Sequence, residues 1–339
     1  MKSDIAIDLG TSRIRIFAQN KGLIIDEPSV ITVDLETDAI IAVGQQAYEM
    51  VGKTSDRLLA AFPLSGGVIT DFGLVEAMIS TMLRNVVSSG IGMPRAVACV
   101  PGEITEVEKR AVVNAISSSG IRKVCLIEEP VAAAIGAGVD IENAHGTFVA
   151  DLGAGTCDMA VITLGGVAVS RSIKLAGNNM DENIMKYIKK EYNMLVGKNT
   201  AEKAKINTGC VIKGSRNSTY RVKGRNLVTG LPSWIDLRSE ETIEPLLEIA
   251  EAIVHAVQDV LEETPPELTG DIYSDGMILT GGTAQIPGLA QLISSATKLK
   301  VRVAEDPAGC VVRGCGAALK YIDVNSKNPN TVNPITDRY

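Results

Sequence analysis

Apolar and polar residues alternate through residues 4–17 on both sides of Gly10-Thr11. That period of two predicts a pair of strands joined by a tight turn. Nearly the same design returns over residues 147–162, so that Asp-Leu-Gly stands at 8–10 and again at 151–153. A strand–turn–strand unit recurring so far along the chain points to two domains of similar plan, and two copies are too few for a solenoid.

The pattern between and after these hairpins is mixed. Residues 96–100 read as a short strand and 104–118 as a helix, with Thr105 and Glu108 at capping-box spacing, Val107, Ala111 and Ala115 on one face, and Gly120 ending it. Residues 123–127 read as another strand, from which Glu128-Glu129-Pro130 leads into a small-residue helix over 131–138. Such alternation implies an α/β domain. A helix is expected over 181–192, with Ile184, Ile188 and Tyr192 in line, and strand signals surround Lys223-Gly224 in 220–237. The longest helix runs over 239–263, its apolar positions repeating at 3.6 residues until Pro265-Pro266 stops it. A strand at 276–280 feeds the Gly281-Gly282 turn and a helix near Pro287; a last Ala/Gly-rich helix covers 311–321. Residues 323–339 are polar and are expected to be disordered.

At about 150 residues per domain, 339 residues make two domains. Aromatic residues are only 4%, so the cores must be aliphatic. A net charge of −7 argues against binding nucleic acid or anionic lipid through bulk charge, although local basic patches stay open. With two histidines, His145 and His255, a His-rich metal site or a Ser/His/Asp triad is not expected. The six cysteines form no CxxC pair, the N-terminus carries no apolar leader, and no stretch approaches the ~18 apolar residues of a membrane span. A reduced, cytoplasmic chain is therefore the expectation.

Chemistry concentrates at the turns. Glycine lets backbone approach a ligand closely, and successive N–H groups in a tight turn make an anion-binding concavity. Thr11, Ser12 and Thr156 add hydroxyls, while Asp8 and Asp151 at the strand ends can hold Mg²⁺ directly or through water. One such turn alone reads as an ordinary hairpin; two facing each other would grip a nucleotide's phosphates from both sides. Leu279-Thr-Gly-Gly-Thr-Ala-Gln-Ile-Pro-Gly288 would let a base or ribose lie against backbone near a helix N-terminus. In Ile127-Glu-Glu-Pro130 a carboxylate could orient the water that attacks a γ-phosphate, or merely favour a helix dipole; spacing does not choose between Glu128 and Glu129.

Together these elements resemble the actin-like ATPase superfamily of actin, chaperone ATPases and sugar kinases, and within it the bacterial actin family of MreB and Mbl. The resemblance covers about residues 4–322. Beyond the turns it rests on PGEITEVEKRA (101–111), IEEPVAAAIGAG (127–138), SRSIKLAGNNMD (170–181), VTGLP (228–232) and TPPEL (264–268).

The resemblance implies an actin-like ATPase fold: two duplicated ribonuclease-H-like domains around a nucleotide cleft. The first would span 1–140 with a smaller subdomain at about 28–64; the second 141–322, with one at about 182–240. Asp8, Gly10, Thr11 and Ser12 would form the first phosphate loop, with Arg13 adjoining; Asp151, Gly153, Ala154, Gly155 and Thr156 the second. Glu129, immediately before the proline, would position the hydrolytic water. Glu202 and Lys205 would touch adenine and ribose, and Gly281, Gly282, Thr283 and Ala284 would close over the nucleoside. Arg13, Ala154, Cys157 and Thr283 depart from the family's usual Asn, Gly, Thr and Gly. Ala154 and Thr283 would add atoms where backbone meets ligand; Arg13 would supply charge near the phosphate or point to solvent from the second strand, the latter favoured, and Cys157 would be a redox-sensitive thiol or, the favoured reading, a quiet, half-buried one.

The implied activity is slow hydrolysis of ATP to ADP with Mg²⁺, coupled to assembly into filaments on the inner face of the cell membrane. There the filaments would organise cell-wall synthesis with shape-determining membrane proteins and maintain rod shape. With only four residues ahead of the first strand, membrane attachment is expected through the loop 88–94, where Ile91 and Met93 either insert or pack against the domain. Two other classes share the fold. A chaperone ATPase would carry a large substrate-binding region where this chain has a short polar tail, and a sugar kinase would place a catalytic Asp in the cleft, which nothing in the chain singles out.

Overall fold

The computed structural model describes residues 4–87, 94–322 and 335–336. The membrane-loop residues Ile91 and Met93 therefore lie outside the described residues, as does most of the polar tail.

Two sheets carry the duplicated plan. In the first, the hairpin Ile5–Leu9 and Arg13–Ala18 continues to an outer strand Gly22–Pro28, while Arg95–Val100 and Lys123–Glu128 extend the other side in parallel. In the second, Thr147–Leu152, Cys157–Thr163 and Gly166–Ile173 repeat the antiparallel part, and Met277–Thr280 and Val301–Val303 repeat the parallel part. The central strand Ile5–Leu9 is buried along its whole length and Thr147–Leu152 from Phe148 onward, which suits their apolar runs. Ile335–Thr336 pairs with Leu126 and Ile127 at the edge of the first sheet, a strand where the polar composition of the tail led us to expect none.

Each half bears a small sheet. Ile31–Asp34 is flanked by Ile40–Val43 and Leu58–Ala61 and packs the short helix Gln45–Met50. In the second half Met194–Leu195, Thr219–Asn226 and Pro232–Arg238 form the small sheet beside the helix Lys198–Thr208.

Helix ends follow local chemistry. Thr105 and Glu108 form the expected capping box ahead of Glu106–Ser117. The buried stripe of that helix is Val112, Val113, Ala115 and Ile116, whereas Val107 is 78% exposed. The face read through Val107 is thus corrected: its turn lies ahead of the segment that packs on the sheet. Ile243–Glu263 buries Leu246, Ala250, Ile253, Val257 and Val260 as the 3.6 period requires, and ends ahead of the two prolines. The second proline opens a further helix, Pro266–Asp275. The helix Phe72–Val87 and the outer strands of both sheets had no sequence reading.

Between the two sheets lies a third apolar layer. Ala6, Val97 and Cys125 of the first sheet and Val149, Ala160 and Ile278 of the second all pack into it, around the helices Glu129–Gly136 and Cys310–Ala318. These helices cross with backbones in contact: a Cβ on Gly314 would stand 1.7 Å from the carbonyl oxygen of Ala132, and one on Gly136 would stand 1.8 Å from that of Cys310. No rotamer relieves a clash with backbone, so the helices must separate. Gly314→Ala is expected to lose about 3 kcal/mol of stability by overpacking. An unchanged midpoint in denaturant unfolding would show that the crossing re-spaces at no cost.

Candidate functional site

The halves enclose a cleft of about 480 Å³. The first hairpin turn presents Asp8, Gly10, Thr11, Ser12 and Arg13 to it, and the second presents Asp151, Gly153, Ala154, Gly155 and Thr156. The loops nearly touch. A Cβ on Gly155 would stand 2.4 Å from Thr11 Oγ1, so only glycine permits this approach. Thr11 Oγ1 in turn accepts a 3.1 Å bond from the Gly67 N–H. Within the second loop the Gly153 N–H donates to the Thr156 carbonyl at 2.9 Å, and the Ala154 carbonyl accepts from the Asn178 N–H at 2.8 Å, tying the loop to the helix Gly177–Tyr192.

Four carboxyl groups sit around this junction, and burial raises the pKa of each. Asp8, next to last in the strand Ile5–Leu9, lies directly opposite Arg15; burial raises its pKa, with Arg15, 3.6 Å away, and the Cys99 thiol opposing. Asp151 is pushed up to about 7 by burial, although Thr280 Oγ1 donates a 2.6 Å bond to it. Glu129 is raised well above the carboxylate range, first by burial and then by the negative charge of Asp158, Asp151 and Asp8. Asp158, two residues past Thr156, is 1% exposed and also raised by burial; its Oδ1 accepts from the Gly102 N–H at 3.3 Å, while its Oδ2 has no hydrogen-bond partner.

Carboxyl groups crowded together, with Asp8 and Asp151 both facing the cleft, are surroundings a divalent cation would relieve. Among the described residues, no group of three or more His, Cys, Asp or Glu could hold a metal ion by itself. Mg²⁺ at Asp8 and Asp151 would therefore take its remaining ligands from phosphate and water, which matches the usual chemistry of that ion.

The two adjacent glutamates separate clearly. Glu129 lines the cleft at the start of its helix; Glu128 does not, and burial raises its pKa with Lys109 opposing. On the nucleoside side, Glu202 and Lys205 both line the cleft, and Lys205 Nζ reaches Asp181 at 2.9 Å and the Gly177 carbonyl at 2.7 Å. Gly281, Gly282 and Thr283 line it too, with Thr283 Oγ1 donating a 2.6 Å bond to the Gly153 carbonyl. The side-chain atoms that Thr283 adds thus brace the second loop.

Three expectations change. Ala284 does not line the cleft: the tight turn Thr283–Gln285 directs it into the core of the second half, where it is 2% exposed. Arg13 is held at the cleft rim by Asp26, through a 2.5 Å bond from Nε and a 2.7 Å bond from Nη2 to the carbonyl, rather than pointing free to solvent. Cys157 is fully buried, donates to the Leu175 carbonyl at 3.2 Å, and has its thiol pushed up by burial, so it is inert rather than half-exposed.

Sequence reasoning missed Arg15, Gly67, Gly177, Ile206 and Arg216, all of which line the cleft. Period-two alternation placed Arg15 on the same face as Arg13, and cross-strand register with Asp8 was the signal available. Gly177 lies inside the SRSIKLAGNNMD stretch; Gly67 and Arg216 carried no local signal.

Comparison with known proteins agrees with this geometry. The family described as MreB/Mbl protein matches residues 2–327. The cell shape-determining protein Mbl of Bacillus cereus is 44% identical over 321 residues, covering 94% of this chain and 96% of that protein. The cell shape-determining protein MreB of Escherichia coli K12 is 41% identical over 329 residues, covering 95% of each. A crystal structure of MreB5 of Spiroplasma citri bound to ADP superposes with a TM-score of 0.92 at 35% identity, covering 97% of this chain and 99% of that one.

Proposed function

The chain belongs to the MreB/Mbl family and has its actin-like fold; from that premise we propose that it binds ATP with Mg²⁺, hydrolyses it slowly, and assembles into membrane-associated filaments that set rod shape by organising cell-wall synthesis. The observation that carries the reading is the meeting of two Asp-Leu-Gly loops, one from each half, over a cleft lined by Glu129. ADP in the related MreB5 structure supports a nucleotide as the ligand.

The chain's own residues divide the work. The two loops supply backbone N–H groups and hydroxyls to the phosphates from opposite sides. Glu202 and Lys205 face the nucleoside, and Glu129 positions the attacking water. Burial and the negative charge of Asp158, Asp151 and Asp8 raise the pKa of its carboxyl group. Bound Mg²⁺ would offset the charge of the phosphates and of these carboxylates.

Among the described residues no helix is long and apolar enough to cross a membrane; the attachment proposed is peripheral, through the loop 88–94. Ile91 and Met93 are the candidates, each contributing ~1.5–3 kcal/mol if buried in lipid. A single subunit would bind weakly, and a polymer would multiply the contact. Replacing both by serine is expected to abolish co-sedimentation with liposomes; unchanged binding would rule the loop out. The reading as a whole is tested by imaging the purified protein with ATP and Mg²⁺ on a lipid layer, where membrane-bound filaments are expected. Sugar-stimulated ATP consumption without assembly would overturn it in favour of a kinase.

A further inference from the structure

Across the mouth of the cleft, one face of the helix Lys198–Thr208 meets the small sheet of the first half. Positions 198 and 199 stand four and three residues before 202 and so each neighbour it on the helix surface. Tyr48, in the helix Gln45–Met50, donates its hydroxyl to Glu202 Oε2 at 2.6 Å, although 154 positions separate the two. The Tyr48 carbonyl accepts from Asn199 Nδ2 at 3.2 Å, and Lys198 Nζ stands 4.8 Å from the centre of the Phe62 ring. Beneath these contacts a side chamber of about 100 Å³ is lined by Thr11, Ser12, Tyr48, Phe62 and Glu202, among others, so the clasp opens onto the first phosphate loop.

Tyr48 is set before it reaches Glu202. Its ring packs on the small core of Val30, Ala42 and Ala47, which fixes where the hydroxyl points. Burial and the Glu202 carboxylate both raise its pKa, so it remains a donor. Among the described residues nothing else hydrogen-bonds to the Glu202 carboxylate, and Glu202 lines the main cleft as well as the side chamber. A carboxylate has two oxygens; with one held by Tyr48, the other is free for a donor on a ligand.

We propose that Tyr48 is a positioning residue for nucleoside recognition, holding the Glu202 carboxylate at the cleft mouth from the opposite half of the chain. This rests on the nucleotide reading above and adds a residue to it. Nucleoside contact and closure of the cleft are then coupled through this bond: a ligand that uses Glu202 favours the arrangement in which Tyr48 reaches it. A ligand made of phosphates alone, which engages only the loops, gains nothing from Tyr48.

The test measures affinity for ATP and for inorganic triphosphate, by competition against a fluorescent nucleotide, in wild type, Tyr48→Phe, Glu202→Gln and the double variant. Tyr48→Phe keeps the ring packed and removes only the hydroxyl. It is expected to weaken ATP about tenfold, the scale of one hydrogen bond to a charged group, and to leave inorganic triphosphate unchanged. In the Glu202→Gln background the same substitution should cost about twofold or less, because its partner is already altered. Equal weakening of both ligands would indicate a disturbed fold and overturn the proposal, as would an unchanged ATP affinity or an undiminished effect beside Glu202→Gln. If wild type binds inorganic triphosphate but gains nothing from the nucleoside, the nucleotide reading itself fails, and Tyr48 loses its role with it.

Discussion

Glu129→Ala is expected to bind ATP as wild type does and to lose phosphate release by about a hundredfold or more, the usual contribution of a positioned acid–base group. Glu129 stands at the start of the helix Glu129–Gly136, in the layer between the sheets, and lines the cleft with Asp8 and Asp151. Removing it takes away a hydrogen-bonding group for water and leaves the phosphate loops intact. Binding therefore has no reason to weaken. Single-turnover phosphate release beside equilibrium nucleotide affinity separates the two effects. Glu128→Ala is the natural control, because Glu128 does not line the cleft. A wild-type rate in Glu129→Ala, with loss in Glu128→Ala, would reverse the assignment.

Asp151→Ala is expected to weaken ATP binding and to raise the critical concentration for assembly together. Asp151 belongs to the second loop only, where Thr280 holds it. One nucleotide bridging both loops stabilises the arrangement in which they meet, and Gly155 beside Thr11 shows how close that meeting is. A closed subunit with matched ends adds head to tail without closing on itself, which yields a filament. If ATP favours assembly, assembly raises ATP affinity by the same factor, of order 5–150-fold for couplings of ordinary size. Light scattering and nucleotide affinity measured in parallel on this variant should therefore move in the same direction. Normal polymerisation with ATP binding lost would sink the coupling and leave ATP a structural ligand.

What could be read from the sequence was local. The two Asp-Leu-Gly turns, the Thr105–Glu108 capping box and the 3.6 period of residues 243–263 are each specified within a few residues by turn chemistry, capping and periodicity, and all three stand in the structure. The duplication was legible because a repeated hairpin is itself a local pattern. Tertiary structure decided what depends on approach between distant segments. It chose Glu129 over Glu128 by aiming one of two adjacent carboxyls into the cleft, a matter of how the helix docks between the sheets. It turned Ala284 into a core and left Val107 on the surface, although their neighbours in sequence suggested otherwise. It brought Tyr48 to Glu202 and Gly314 to Ala132 across 154 and 182 positions, contacts no periodicity encodes because they arise only when separately specified layers pack to full density. The chain's own order of residues determined two Asp-Leu-Gly turns; the packing of the halves against each other decided that both face one cleft.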